Sequence, residues 1–171
     1  MELRLSLCQI IDNFLDSEYH QLIHDVMIGS SFPWFYQPGV AREDKRDEFY
    51  FIHSFLEEGE FSLFFELIHD LVYKIDPDEL VRVKANLYPR TEQIVEHDWH
   101  KDYKESHKAA IYYINSNDGY TQIGDQRVES VANRLVIFDG GIDHHSTTCS
   151  DEHVRVNIGI NWKKAYESSK L

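Results

Sequence analysis

Apolar and polar positions change their period about halfway along the chain, near residue 80. Before that point Tyr19, Leu22, Ile23, Val26 and Met27 recur at the spacing of one helical face, with Asp16 or Ser17 placed to cap the helix and Gly29 to end it. Phe61, Phe64, Phe65, Ile68, Leu71 and Val72 repeat the pattern up to Asp76-Pro77, which predicts a second helix with an aromatic stripe turned to the core. Leu3, Leu5 and Leu7 alternate with Arg4, Ser6 and Cys8 as in a half-buried strand, SFPWFYQPGVA reads as extended, and EFYFIHSFL reads as a strand. Beyond residue 80 the runs are short and β-branched or aromatic: LVRVKANLY, EQIVEH, KAAIYYIN, NRLVIF and HVRVNIGINW, with NDGYTQIGDQ between them as a turn region. Helices gathered before a series of strands predict an α+β fold, in which helices cover the outer face of a small antiparallel β-sandwich.

The 171 residues contain no repeat or linker, which suits a single domain over 1–171 with helical support at 1–79 and a β core at 80–162. Lys and Arg number 17 against 30 Asp and Glu, so the formal charge of −13 opposes binding to a phosphate backbone, and no nucleic-acid partner is expected. Cys8 and Cys149 form no disulfide framework and no CxxC pair. The N-terminal residues lack the apolar region of a signal peptide, and no run reaches membrane-spanning length, so the expected location is the cytoplasm with no membrane contact.

Most of the ten histidines call for no role beyond hydrogen bonding. His100 and Asp102 differ, because positions i and i+2 of an extended chain face the same side and bring an imidazole and a carboxylate together. A second imidazole is available at His144 or His145, between the strands LVIF and HVRVNIGINW. Two imidazoles and one carboxylate suit Fe(II) with coordination positions left open; zinc is the weaker reading, for want of cysteine ligands or an HExxH motif. In the last strand Arg155, Asn157, Gly159 and Asn161 share one face, while Val156, Ile158, Ile160 and Trp162 share the other. An arginine pointing into a barrel is costly without an anion, so Arg155 implies an acidic co-substrate.

The stretches ANLYPRTEQIVEHDWHKD, AIYYIN, NRLVIF and His144 to Arg155, in this order and spacing, resemble the jelly-roll core, or double-stranded β-helix, of Fe(II)- and 2-oxoglutarate-dependent dioxygenases. The branch these stretches most resemble is the prolyl-4-hydroxylase-like one, with its small phage and bacterial members and its hypoxia-sensing enzymes. The resemblance implies that His100, Asp102 and His144 hold iron, and that Arg155 is the catalytic-site partner of the distal 2-oxoglutarate carboxylate. It also implies that the Tyr113 hydroxyl contacts that carboxylate and that Tyr88 lines the pocket. Strand alternation lets only one of His144 and His145 ligate; the spacing to Arg155 and the following Ser146 favour His144, leaving His145 at the rim or solvated. His97 pairs with His100 as HxxH, a spacing that serves a helix rather than this extended segment, and Cys149 reads as a half-buried thiol. Asn161 stands where the hypoxia-sensing enzymes have Trp.

The implied cofactors are Fe(II), 2-oxoglutarate and O2, with ascorbate stimulating turnover. The first substrate the resemblance implies is a prolyl residue in a peptide or protein, with a free amino acid, another small molecule and a modified base left open. The acidic chain suggests that this peptide is neutral or basic and meets a rim formed by Tyr88, Trp99 and His145. A non-catalytic metal-binding jelly roll and a cupin-like metalloenzyme are the rival readings.

Overall fold

The computed structural model describes residues 6–40 and 48–163, so Leu3, Leu5 and Ala41 of the patterns above lie outside the described residues. Strand β1 covers Cys8–Ile11, helix α1 Ser17–Ile28, β2 Phe35–Gln37, β3 Tyr50–Glu57, β4 Glu60–Phe61 and helix α2 His69–Ile75. Then follow β5 Glu79–Pro89, β6 Lys108–Tyr113, β7 Tyr120–Ile123, β8 Gln126–Glu129, β9 Leu135–Asp139, β10 His144–Ser146 and β11 Val154–Lys163. Among the described residues, a large antiparallel sheet runs β1-β9-β6-β11-β5-β3-β2, with β4 beside β3, and a smaller one runs β10-β7-β8. This is the jelly-roll core with helical support that the period change predicts. No helix of the described residues is long and apolar enough to cross a membrane, and both cysteines are free thiols, buried in the protein.

Helix α1 starts at Asp16, whose side chain accepts from the Glu18 N–H at 2.9 Å, and its last turn is closed by the Gly29 N–H on the Asp25 carbonyl. Its buried residues Ile23 and Met27 join Leu71 and Val72 of α2 against Val156, Ile158, Ile160 and Trp162 of β11. The other face of β11 is therefore left for polar side chains, as its alternation requires.

Three expectations need correction. The first half is not simply helical, since it supplies β1 to β4, and β3 pairs with β5 along much of its length. The second helix is shorter than its apolar spacing suggests. Glu58 and Gly59, both at positive φ, fold Phe61 back beside Leu56, and a 3-10 turn at Phe65–Ile68 precedes α2. The hydroxyl of Ser62 accepts from the Phe64 N–H and bonds His53 Nε2 at 2.9 Å, fixing this turn, so Phe61 is an exposed strand residue. Finally, NDGYTQIGDQ holds strand β7 and the start of β8.

Buried Asn133 ties the N-terminal segment to the large sheet. Its Oδ1 accepts from the Leu15 N–H at 2.8 Å and the Tyr112 hydroxyl at 2.9 Å, its Nδ2 donates to the Leu15 carbonyl at 2.8 Å, and its φ is 61°. Replacing it with Ala strands a buried donor and acceptor and leaves a Cβ branch without side-chain hydrogen bonding in the left-handed region. Asn133→Ala is expected to lose about 2–4 kcal/mol of stability, read from the midpoint of urea unfolding at unchanged slope.

Candidate active site

The polar faces of β5 and β11 look into one cavity of about 300 Å³. Their register sets Arg82 opposite Asn161, Lys84 opposite Gly159, Asn86 opposite Asn157 and Tyr88 opposite Arg155. A direct hydrogen bond of 3.0 Å from Asn86 Nδ2 to Asn157 Oδ1 satisfies the middle of this ladder. Tyr50 of β3 stacks on Tyr88 with ring centres 5.5 Å apart, and burial holds both phenols well above their usual pKa, so they remain neutral.

At one end of the cavity the donor atoms of His100, Asp102 and His144 lie within 4.8 Å of one another. His100 is not in a regular strand. Its N–H and carbonyl pair reciprocally with those of His144, at 2.9 and 3.0 Å, in an isolated bridge that sets the two rings 4.6 Å apart. Each ring is oriented by its own neighbourhood: His100 Nδ1 bonds the Asp98 carbonyl at 3.1 Å, and His144 Nδ1 bonds the Ile142 carbonyl at 3.0 Å. A carbonyl only accepts, so each Nδ1 carries the hydrogen and each Nε2 keeps a lone pair for a ligand. His144 Nε2 stands 3.9 Å from Asp102 Oδ2. Burial lowers the His144 pKa despite the neighbouring carboxylate, which preserves that lone pair.

Asp102 is held from both sides. Arg82 Nη2 donates to its Oδ1 at 2.9 Å, and Asn161 Nδ2 donates to its Oδ2 at 2.9 Å, while Arg82 also donates to Asn161 Oδ1 at 3.2 Å. Burial acts to raise the carboxyl pKa, but Arg82, His144, the Asn161 hydrogen bond and His100 outweigh it and hold the group at about 2. Neither Arg82 nor this role of Asn161 is evident in the sequence. The available signal was the alternation Arg82, Lys84, Asn86, Tyr88 on one face of a strand that was legible as a strand.

Arg155 is fully buried. Its Nε donates to Ser130 Oγ at 2.8 Å, Nη1 to the Thr147 carbonyl at 3.2 Å and Nη2 to Thr121 Oγ1 at 2.9 Å, so two of its five N–H groups keep no partner among the described residues. No carboxylate of the described residues pairs with it. Gly119 makes room for its stem, because a Cβ there would fall 2.6 Å from Arg155 Cδ. The Tyr113 hydroxyl also donates to Thr121 Oγ1, at 2.8 Å. Thr121 is thus the wall residue, with Arg155 and Tyr113 behind it, and its own hydroxyl hydrogen is left to point elsewhere. Sequence reading missed Thr121, which lies in the segment read as a turn.

His145 lies on the opposite face of β10 from His144, buried edge-on to Trp99 with ring centres 4.4 Å apart; it is neither solvated nor part of the cavity wall. Of the expected rim, Trp99 is exposed, whereas Tyr88 is a buried wall residue. His97 bonds Ser146 Oγ at 2.8 Å outside the donor cluster, and the Cys149 thiol meets the Glu152 carbonyl.

No family model matches the chain, and no curated protein matches it. Its fold is similar to that of a Pseudomonas putida prolyl-4-hydroxylase (TM-score 0.61, 16% identity, over 95% of this chain and 96% of that one). A Trichoplax adhaerens prolyl hydroxylase, in complex with a hypoxia inducible factor oxygen degradation domain peptide fragment, gives a TM-score of 0.69 at 16% identity over 94% and 85%. A Burkholderia pseudomallei oxidoreductase of the 2OG-Fe(II) oxygenase family gives 0.65 at 9% identity over 93% and 86%. At these identities the likeness is one of fold, and it spans nearly the whole chain.

Because its folded pKa of about 2 lies below the unfolded value of about 4, Asp102 contributes about 2 kcal/mol of stability above pH 4, lost as the pH falls toward 2. Arg82→Met removes the larger opposing charge while burial persists. In the metal-free variant the Asp102 carboxyl, followed by carbon-13 NMR titration, is expected to titrate well above its wild-type value, and the stability gained between pH 2 and 4 is expected to shrink accordingly.

Proposed function

We propose that the chain is an Fe(II)- and 2-oxoglutarate-dependent dioxygenase that hydroxylates a C–H bond of its substrate, with succinate and CO2 as co-products. The observation that carries this reading is the combination, about one cavity, of a three-donor cluster and a buried arginine with no acidic partner among the described residues. The donors fit Fe(II): two imidazoles whose Nδ1 is engaged by a main-chain carbonyl, leaving Nε2 toward the cluster, and a carboxylate held ionised, a set that leaves coordination positions open. His100, Asp102 and His144 would hold the ion, and when bound the metal, 2-oxoglutarate and O2 supply the oxidising chemistry.

The protein's own contribution is placement. Arg82 and Asn161 fix the carboxylate of Asp102 so that it points at the two imidazoles. Arg155 sets a positive charge behind Thr121, where the distal carboxylate of 2-oxoglutarate would accept from the Thr121 hydroxyl and feel the guanidinium at short range. Tyr113 fixes Thr121 from the other side, and Tyr88 closes the wall next to Arg155. A peptide with a prolyl target is the finer reading, supported by the peptide held by the Trichoplax adhaerens neighbour.

The decisive experiment is anaerobic addition of Fe(II) and 2-oxoglutarate, with the visible metal-to-ligand charge-transfer band as readout, followed by succinate formation in air with ascorbate. Absence of the band rejects the reading, and a band without succinate favours a binding module. His144→Ala is expected to abolish the band and the bound iron, while His145→Ala, altering a side chain packed on Trp99, retains iron by elemental analysis. Arg155→Ala is expected to raise the 2-oxoglutarate KM more than tenfold with iron retained, and Tyr113→Phe to raise it less.

A further inference from the structure

Among the described residues, three cations line the cavity: Arg82, Lys84 and Lys101. Arg82 is paired with Asp102 at 2.9 Å and Lys101 with Asp143 at 3.7 Å. Lys84 forms no ion pair or side-chain hydrogen bond with a described residue; the Tyr50 ring lies 5.9 Å from its Nζ. Burial and the nearby Arg82 pull its pKa down to about 8, against the weaker opposing pull of Asp102 and Glu57. Two positions along the same strand face, Arg82 keeps a buried Nε–H with no partner. Opposite Lys84 stands Gly159, and a Cβ built there would meet nothing closer than the Lys84 carbonyl at 3.7 Å. The ladder therefore has an open recess beside its one unpaired ammonium.

We propose that the substrate of this site carries a carboxylate, and that Lys84 binds it in the recess left by Gly159. The inference rests on the oxygenase reading above, in which Arg155 serves the co-substrate and Lys84 is left for the molecule to be oxidised. A solvated lysine needs no counter-ion, but a largely buried one is stabilised by a charge-assisted bond that water supplies poorly. The expectation of a neutral or basic peptide came from the net charge of the whole chain. Among the described residues the cavity has the opposite character: its wall bears Arg82, Lys84 and Lys101 against the carboxylate of Asp102. The carboxylate can come from a free acid, such as an amino acid, or from an acidic side chain or C-terminus of a peptide, and the chemistry at Lys84 is the same.

The test uses the full chain loaded anaerobically with Fe(II) and 2-oxoglutarate, and the probes propionate and propionamide. Propionate is expected to shift the charge-transfer band saturably and propionamide to leave it in place. Lys84→Met should weaken the propionate effect about tenfold or more, Lys84→Arg should restore it, and Gly159→Val, which fills the recess, should abolish it. The comparison of acid and amide in the wild-type protein stands even if a variant fails to fold. Equal effects of acid and amide, no shift by either, or loss of the band through displacement of 2-oxoglutarate would each overturn the assignment of Lys84. If the band never forms, the oxygenase reading itself falls and takes this inference with it. Free L-proline against prolinamide, and an acidic dipeptide against its amide, then separate the two sources of the carboxylate, and discrimination by either pair supports the proposal.

Discussion

The register of β11 between β5 and β6 is the constraint on which the remainder of the molecule depends. One face of this strand lies in the apolar core beneath α1 and α2, and the other carries Arg155, Asn157, Gly159 and Asn161. A slip of one residue would drive a guanidinium and two amides under the helices and turn Val156, Ile158 and Ile160 into the cavity. Burial of the apolar face thus dictates the polar face. The single irregularity comes at Asn161/Trp162, where the ladder with β5 shifts, so that Trp162 still packs in the core while Asn161 reaches Asp102.

The cavity concentrates charge that the fold must keep in order. Arg82, Asn161 and Asp102 form a closed triangle of hydrogen bonds, in which each carboxylate oxygen receives one donor and retains a lone pair. Arg155 is treated differently. Its three recorded partners are hydroxyls and a carbonyl, dipoles that orient the guanidinium without neutralising it. The described wall of the cavity is thus cationic in an acidic protein, and the two facts are compatible because exposed carboxylates are screened by solvent whereas cavity charges are screened much less.

Much of this was legible from residue order. The caps of α1, the two faces of β11 and the proximity of His100 to Asp102 follow from residue type and local periodicity; strand alternation allows only one of His144 and His145 to ligate, and the spacing to Arg155 favours His144. What stayed hidden depends on pairing between distant segments. Thr121 was lost because Asn117, Asp118, Gly119 and Gly124 surround a four-residue strand with turn formers, and only pairing with β8 and β10 makes it a strand. Arg82 was legible as a strand residue, but its role requires Asp102 and Asn161, which lie 20 and 79 positions away. Phe61 misled because its spacing suits a helix, while the hairpin at Glu58 and Gly59 precedes any helical turn.

The bridge between His100 and His144 is a reciprocal pair of main-chain hydrogen bonds at the end of an irregular seam in which His97 and Val95 also pair with Ser146 and Thr148, with no strand continuing through His100. The end of such a seam opens more readily than the middle of a ladder, because bonds flank it on one side only. An ion seated on both imidazoles would act there as a cross-link between main-chain segments, closing the loop from β5 to β6 onto the small sheet. Metal loading would then report on chain mobility as much as on chemistry: amide exchange at this join would slow and the whole chain would melt later, by an increment set by ion concentration relative to its dissociation constant.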